Sequence, residues 1–169
     1  MGGRSGARLV RGSWRIWGTV TVLVVLHFLL HLGAGLGSEA PDLLAVALLV
    51  GSRELRMGSG AGLGFAFGLM EDAFSVVAFG ANTVAMTLVG ALGARTRDLF
   101  VGDSLLFLVS YLFLGKWLRD LVFWIAVGEG ARGPFTDAML VQGGLAALYA
   151  AGVGLVAMWV SGAFWESLR

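Results

Sequence analysis

The sequence predicts an all-α, polytopic integral membrane protein with about six transmembrane helices and both termini in the cytoplasm. Of its 169 residues 57% are hydrophobic and 14% are charged, whereas a soluble domain carries roughly 25% charge. Apolar runs of about 20 residues, the length that crosses a bilayer as a helix, follow one another along most of the chain. The chain has no cysteine, which excludes disulfides, thiolate metal sites and a cysteine nucleophile.

The predicted organisation is a basic cytoplasmic arm at residues 1–13, a six-helix transmembrane domain at 14–162 and a short cytoplasmic tail at 163–169. Four arginines in and beside the arm step by four, three and four positions, so a helix would place them on one face: Arg4, Arg8, Arg11 and Arg15. Such a face would lie on the anionic inner leaflet, with about 1 kcal/mol gained per basic residue. The interspersed glycines argue against a rigid helix and favour the alternative, a simple topology signal.

The first three helices are placed by hydropathy and by their boundary residues. The first covers residues 14–36, and the second begins at Pro41, a residue favoured in the first turn of a helix. The second ends near residue 51 and reaches only about 16 Å, which predicts a helix that is tilted beneath its neighbours or re-entrant. The third helix covers residues 58–77.

A ladder of small residues marks the third helix, at Gly60, Gly64 and Gly68, and it ends in Asp72. Four-residue spacing puts these positions on one helix face, and in a membrane such a face lets another backbone approach closely. The neighbour is either a partner's transmembrane helix or another helix of the same bundle. An ionisable residue inside a membrane is a functional-site hypothesis by default, because burying its charge is expensive. The alternative for Asp72 is a cap at the outer end of a shorter helix.

The remaining helices are predicted at residues 82–94, at 104–127 and, after Pro134, at 138–161. With the N terminus in the cytoplasm, eight of the twelve basic residues fall in the arm and the first two inner loops. Arg132 is the basic residue that this topology assigns to an outer loop. The distribution follows the positive-inside rule and therefore favours six spans with both termini inside.

The fifth predicted helix carries Lys116, Arg119 and Asp120 near its middle, and inserting the three charges costs roughly 8–10 kcal/mol. Lys116 and Asp120 are spaced to pair on one face. At 1.5 Å per residue, Asp72 reaches the height of these cations and is expected to meet one of them. The two histidines of the first helix lie at a similar height. The heights predict one intramembrane polar cluster in the outer half of the bundle: Asp72, Lys116, Arg119, Asp120, His27 and His31.

Two interpretations of this cluster stay open. The charges of the fifth helix form either a structural or partner-facing ion network, which we favour, or a transport relay. The histidines are expected to be an interior pair, in preference to metal or haem ligands. Motifs of hydrolases, zinc proteases and phosphate-binding loops are missing from the sequence, and its basic residues are spread along the inner face. We therefore expect no catalytic residue, no metal, no cofactor and no nucleic-acid partner.

Several short motifs between residues 41 and 97 occur together in one family. They are Pro41–Asp42, Gly64-x-x-x-Gly68-Leu69-Met70-Glu71-Asp72, Gly80-x-Asn82, Val89–Gly90, and a basic inner loop with Arg95 and Arg97. In these motifs the chain resembles MreD, the bacterial rod-shape-determining membrane protein, and its length and span count fit as well. Outside this region the agreement is mainly one of hydropathy.

The resemblance implies a non-enzymatic scaffold of the cell-elongation machinery in the bacterial inner membrane, where peptidoglycan is made. Its implied fold is a bundle similar to the substrate-binding S subunits of ECF vitamin transporters. The implied partners are MreC, through its transmembrane helix, and also a SEDS glycosyltransferase, a class-B penicillin-binding protein, an MreB-associated complex and membrane lipid. The alternative is an ECF-type binding subunit with an outward polar pocket. Such subunits typically carry Ala-x-x-x-Ala in the first helix, which is missing here, so the scaffold is favoured.

Overall fold

The computed structural model describes residues 3–33, 41–75, 78–96, 105–160 and 162, without the side chains of residues 3–13 and 131. The regular elements in these residues are all helical, which confirms the predicted all-α class. The main helices are α1 (Gly3–Phe28), α2 (Leu43–Ser52), α3 (Met57–Asp72), α4 (Ala81–Thr96), α5 (Leu105–Ala126) and α6 (Gly143–Val160). A π-helical segment, Leu29–Gly33, continues α1, a second, Thr136–Gln142, leads into α6, and a 3-10 turn covers Glu129–Ala131.

Helix α2 is the centre of the bundle. All ten of its residues are buried, and it contacts α1, α3, α4, α5 and α6. A helix that is apolar on every side is stable only when it is covered on every side, and here protein provides the cover. Asp42 caps the start of α2, because its side chain accepts a hydrogen bond from the Ala45 amide at 2.9 Å. The short second helix predicted from the sequence is therefore the core of the fold.

Helices α3 and α4 form the most extensive helix pair and run antiparallel. A Cβ atom built on Gly64 would lie 2.6 Å from the carbonyl carbon of Met86, and one built on Gly60 would lie 2.7 Å from the Ala94 side chain. No side chain fits at these distances, so glycine is what allows the two backbones to touch. The ladder is thus buried inside the bundle.

Helix α3 ends at Asp72, whereas the sequence predicts that it continues to residue 77. The difference follows from a contact made after the chain turns. The Asp72 carboxylate accepts a hydrogen bond from the amide of Gly80, which has a φ of 93° and turns the chain back towards α4. A continuing helix would carry the chain away from this acceptor.

Two helical stretches among the described residues are long and apolar enough to cross a membrane, Trp14–His31 and Thr136–Val160. Helix α5 has 22 residues but carries three charges, and α3 and α4 have 16 residues each. By length and composition, these two stretches make the chain a candidate for membrane association.

Candidate functional site: a buried ion network beside a cavity

Five charged side chains from three helices meet inside the bundle. Asp42 stands at the N-terminal end of α2, Glu71 lies in the last turn of α3, and α5 contributes Lys116, Arg119 and Asp120. Because α2 begins at the end of the bundle where α3 finishes, the two acids lie close together and face the same stretch of α5. We call these five side chains the ion network.

The two cations of the ion network are each shared between carboxylates. The Lys116 ammonium lies 3.2 Å from Asp42 Oδ2 and donates a hydrogen bond to Asp120 Oδ1. The Arg119 guanidinium donates to Glu71 Oε2 at 2.9 Å and to Asp120 Oδ1 at 3.1 Å. Lys116 is 4% exposed and Arg119 is 8% exposed. Charges this deeply buried are tolerated only when they are paired in this way.

Asp72 does not belong to the ion network, and the expectation that it pairs with Lys116 or Arg119 is wrong. Its carboxylate is fully buried and accepts hydrogen bonds from the backbone amides of Gly80, Asn82 and Thr83, at 2.9, 3.1 and 2.9 Å. The Thr83 hydroxyl donates a further bond at 2.6 Å. Asp72 therefore caps the N terminus of α4, where free amides and the helix dipole favour a negative charge. The alternative prediction, a capping role for Asp72, is closer to the structure. The helix that it caps is α4, and the carboxylate is buried.

Asn82 links this cap to the ion network. Its side-chain oxygen accepts a hydrogen bond from Arg119 Nη2 at 2.6 Å, while its backbone N–H donates to the Asp72 carboxylate. The two neighbouring acids of α3 thus serve different elements. Glu71 and Asp72 are about 100° apart around the helix, so Glu71 is directed to α5 and Asp72 to α4.

The two histidines form a pair beside the network. His27 is buried, and the rings of His27 and His31 stack with centroids 4.0 Å apart. His31 Nδ1 lies 2.9 Å from the His27 carbonyl oxygen. A carbonyl can only accept, so Nδ1 is the donor in this contact, and Nε2 is the ring atom left for another partner.

A cavity of about 650 Å³ lies against the ion network. One part of its lining is polar, with Asp42, Glu71, Lys116, Arg119 and His31. The opposing part comes mostly from α6 and is apolar: Leu145, Ala146, Tyr149, Ala150 and Val153. A volume of this size is typical of small-molecule sites.

The glycine face proposed for a partner is occupied by α4, which overturns Gly60, Gly64 and Gly68 as an exposed dock. A second ladder on α3 was missed. Gly58, Gly62 and Ala66 are exposed, and a Cβ on either of these glycines would meet nothing within 4 Å. Its signal was present in the sequence, since the two ladders are offset by two residues and so face opposite sides of one helix.

Asp42 and Glu71 were also missed as members of the cluster, which was predicted from the charges of the fifth helix, Asp72 and the two histidines. The available signal was the position of Asp42, one residue after Pro41 and directly before an apolar helix, where a capping side chain points back into the protein. The backbone of Arg4, Arg8 and Arg11 lies in α1, but their side chains and the tail at 163–169 are outside the described residues.

Comparison with protein-family models, with curated proteins and with solved structures gave no match.

Proposed function

We propose that this chain is a non-enzymatic scaffold of the MreD type, which crosses the bacterial inner membrane with six helices and holds the transmembrane helix of MreC beside the wall-synthesis enzymes. One observation carries the proposal. The motif residues from Pro41 to Gly90 are spread over about 50 residues of sequence, yet in the fold they come together in a framework of α2, α3 and α4.

Four of the five motifs have a defined contact among the described residues. Gly64 and Gly68 admit the α4 backbone, and Gly90 of the Val-Gly motif packs against Gly60. Asp72 binds the turn at Gly80. Asp42 of the Pro-Asp motif and Glu71, the neighbour of Asp72, both pair with Arg119 of α5. A coincidental set of short matches would not be expected to interlock in this way, which supports the resemblance.

The distribution of side chains supports a membrane location. Helix α4 exposes Val84, Leu88 and Leu92 at four-residue spacing, and α3 exposes Phe65 and Leu69. Helices α1 and α6 carry similar exposed apolar stripes, while the ion network is inside. An apolar exterior around a paired polar interior is the arrangement that a lipid solvent requires. The ten residues of α2 reach about 15 Å, and we propose that this helix forms a partial span enclosed by the others.

The basic residues support the proposed orientation. Arg53 and Arg56 lie between α2 and α3, and Arg95 lies in the last turn of α4, at the same end of the antiparallel pair. The Arg15 guanidinium lies against Gly162, just beyond α6. A cationic end of this kind belongs at the cytoplasmic face, and the ion network then lies towards the outer face.

We propose that the exposed ladder of α3, at Gly58, Gly62 and Ala66, is the surface on which the MreC helix packs. Helices in lipid associate through close contact at small residues, because lipid provides no hydrophobic drive between them. The opposite ladder already packs α4 in this way, so the same helix presents both an internal and an external contact face.

The test is co-purification of MreC from membranes in which both proteins are expressed. Gly62→Leu is expected to reduce recovery of MreC at least about tenfold, which corresponds to roughly 1.4 kcal/mol. Gly152→Leu is the matched control, since Gly152 is an exposed glycine of α6 with nothing within 4 Å of a built Cβ. Absence of MreC from the unaltered complex would refute the scaffold. Equal recovery with Gly62→Leu would refute the docking surface alone.

The cavity favours a second candidate, a binding subunit of an ECF-type transporter. Its volume and mixed lining suit a small molecule, and in the proposed orientation it lies towards the outer face. The same purification distinguishes the two, because a binding subunit should recover ATPase and coupling subunits in place of MreC.

A further inference from the structure

The cavity beside the ion network has a chemistry that the scaffold role does not use. Three carboxylates of the network are paired with two cations, so the fully ionised set keeps one excess negative charge: Asp42, Glu71 and Asp120 against Lys116 and Arg119. An unbalanced charge in a low-dielectric interior is costly, by several kcal/mol. A cationic group in the cavity would balance it.

Other groups that line the cavity also favour a ligand cation with N–H donors. In its neutral form His31 offers Nε2 as an acceptor, because its Nδ1 faces the His27 carbonyl. Tyr149 lines the same cavity, and aromatic rings attract ammonium groups. An ammonium with N–H donors is the group that a carboxylate, an imidazole nitrogen and an aromatic ring recognise together.

Arg119 adds a preference for an oxygen in the ligand. It lines the cavity and is 8% exposed, and its Nε lies 3.7 Å from Asp42 Oδ2, a longer ion pair than its contact with Glu71. A guanidinium has five N–H donors and no acceptor, so a ligand atom beside it is favoured when it is an oxygen. Because Arg119 and Glu71 are themselves paired at 2.9 Å, a ligand that reaches both has its ammonium and its oxygen only a few bonds apart.

The apolar wall indicates where the rest of the ligand lies. Leu145 is 65% exposed and Tyr149 is 58% exposed, so the α6 wall of the cavity continues onto the apolar outer surface. An acyl chain could leave the cavity along this wall without crossing a polar rim.

We infer that the cavity binds an ethanolamine head group, with its ammonium at Glu71 and its oxygen at Arg119, and that the favoured source is phosphatidylethanolamine. The same head-group chemistry exists in free ethanolamine, and the experiment separates the two sources. The inference goes beyond the scaffold, because lipid binding and MreC binding use different faces of the protein.

The experiment is native mass spectrometry of the purified full chain in detergent, titrated with three phospholipids of identical acyl chains. The head groups are ethanolamine, choline and glycerol. Choline keeps the positive charge but has no N–H donor, and glycerol lacks the cation. We expect ethanolamine lipid to be retained about tenfold more than either, as the loss of one charge-assisted hydrogen bond predicts.

Two variants tie this binding to the cavity. Glu71→Gln keeps the side-chain shape and is expected to lower retention of ethanolamine lipid about tenfold, whereas Glu129→Gln, at an exposed turn residue, should not change it. Ala146→Trp fills the cavity from α6 without altering any charge, and it should abolish retention even if Glu71→Gln fails to fold. Recovery of MreC with Ala146→Trp should be unchanged, so that the two proposals fail independently.

The outcomes are distinct. Competition by free ethanolamine, with equal retention of the three lipids, would support the head-group chemistry and identify a soluble amine as the source. Equal retention without competition, or stronger retention of the glycerol lipid, would overturn the inference. Retention of ethanolamine lipid by Ala146→Trp at the unaltered level would overturn it as well.

Discussion

The two glycine ladders of α3 allow one substitution to be compared on opposite faces of a single helix. Gly62 and Gly64 are two positions apart, in the same sequence context and the same secondary structure. A Cβ on Gly62 meets nothing within 4 Å, whereas one on Gly64 lies 2.6 Å from the Met86 carbonyl carbon and 3.0 Å from Thr87 Cα. We predict that Gly62→Ala stabilises the protein and that Gly64→Ala destabilises it.

Two effects set the free energies of unfolding of these variants, helix propensity and overpacking. Helix propensity changes equally in both variants, so it cancels in the difference between them. In both variants alanine is a better helix former than glycine by about 0.5–1 kcal/mol. At Gly64 the methyl group also overlaps backbone atoms of α4, and overpacking costs typically 1–3 kcal/mol. Backbone atoms cannot turn away as a side chain can, so the upper part of this range applies. The expected difference between the variants is about 2–3 kcal/mol.

The assay is equilibrium unfolding in mild detergent micelles, followed by the fluorescence of the six tryptophans and by helical circular dichroism. Agreement of the two signals would support a two-state transition. Equal free energies of unfolding for the two variants would refute the packing argument. A stabilised Gly64→Ala would show that α3 and α4 are farther apart than the structure places them.

Two further predictions concern buried hydrogen bonds. Asp72→Ala leaves the backbone amides of Gly80, Asn82 and Thr83 without their acceptor, and at about 1–3 kcal/mol for each unsatisfied donor it should cost at least about 3 kcal/mol. Hydrogen exchange at Thr83 should accelerate more than at residues near the end of α4, and uniform acceleration would contradict a local cap. Tyr111→Phe removes the donor to the Leu49 carbonyl at 2.8 Å and should cost about 1 kcal/mol in the same unfolding assay, whereas no change would mean that this bond has no net worth.

Hydropathy and boundary residues were enough to predict the helices, because apolar runs and Pro41 are local signals. The end of α3 was not predictable in the same way. It depends on the hydrogen bond that the Gly80 amide, eight residues away, donates to the Asp72 carboxylate, and that bond exists only once the chain has turned. The sequence of residues 72–77 alone therefore does not predict where α3 ends.

The partners of Glu71 and Asp72 show the same limit in the candidate site. The heights along the helices predicted that Asp72 meets a cation of α5, whereas its neighbour Glu71 does so. Glu71 and Asp72 differ in height along α3 by only about 1.5 Å, whereas their side chains point in directions about 100° apart around the helix axis. The rotation of α3 about its axis is set by Gly64 against α4, which is a tertiary contact.

The ion network has a structural consequence for α2, whose ten residues are all buried. Helices in lipid gain little from the hydrophobic effect when they slide past one another, so their register must come from close packing and polar contacts. At one end of α2, Asp42 is held by Lys116, and at the other the Leu49 carbonyl accepts from Tyr111, so both anchors are on α5. Buried ion pairs contribute little net stability but can specify one arrangement over others. The network therefore fixes the height of α2 relative to α5, and the cavity beside Asp42 keeps its shape for the same reason.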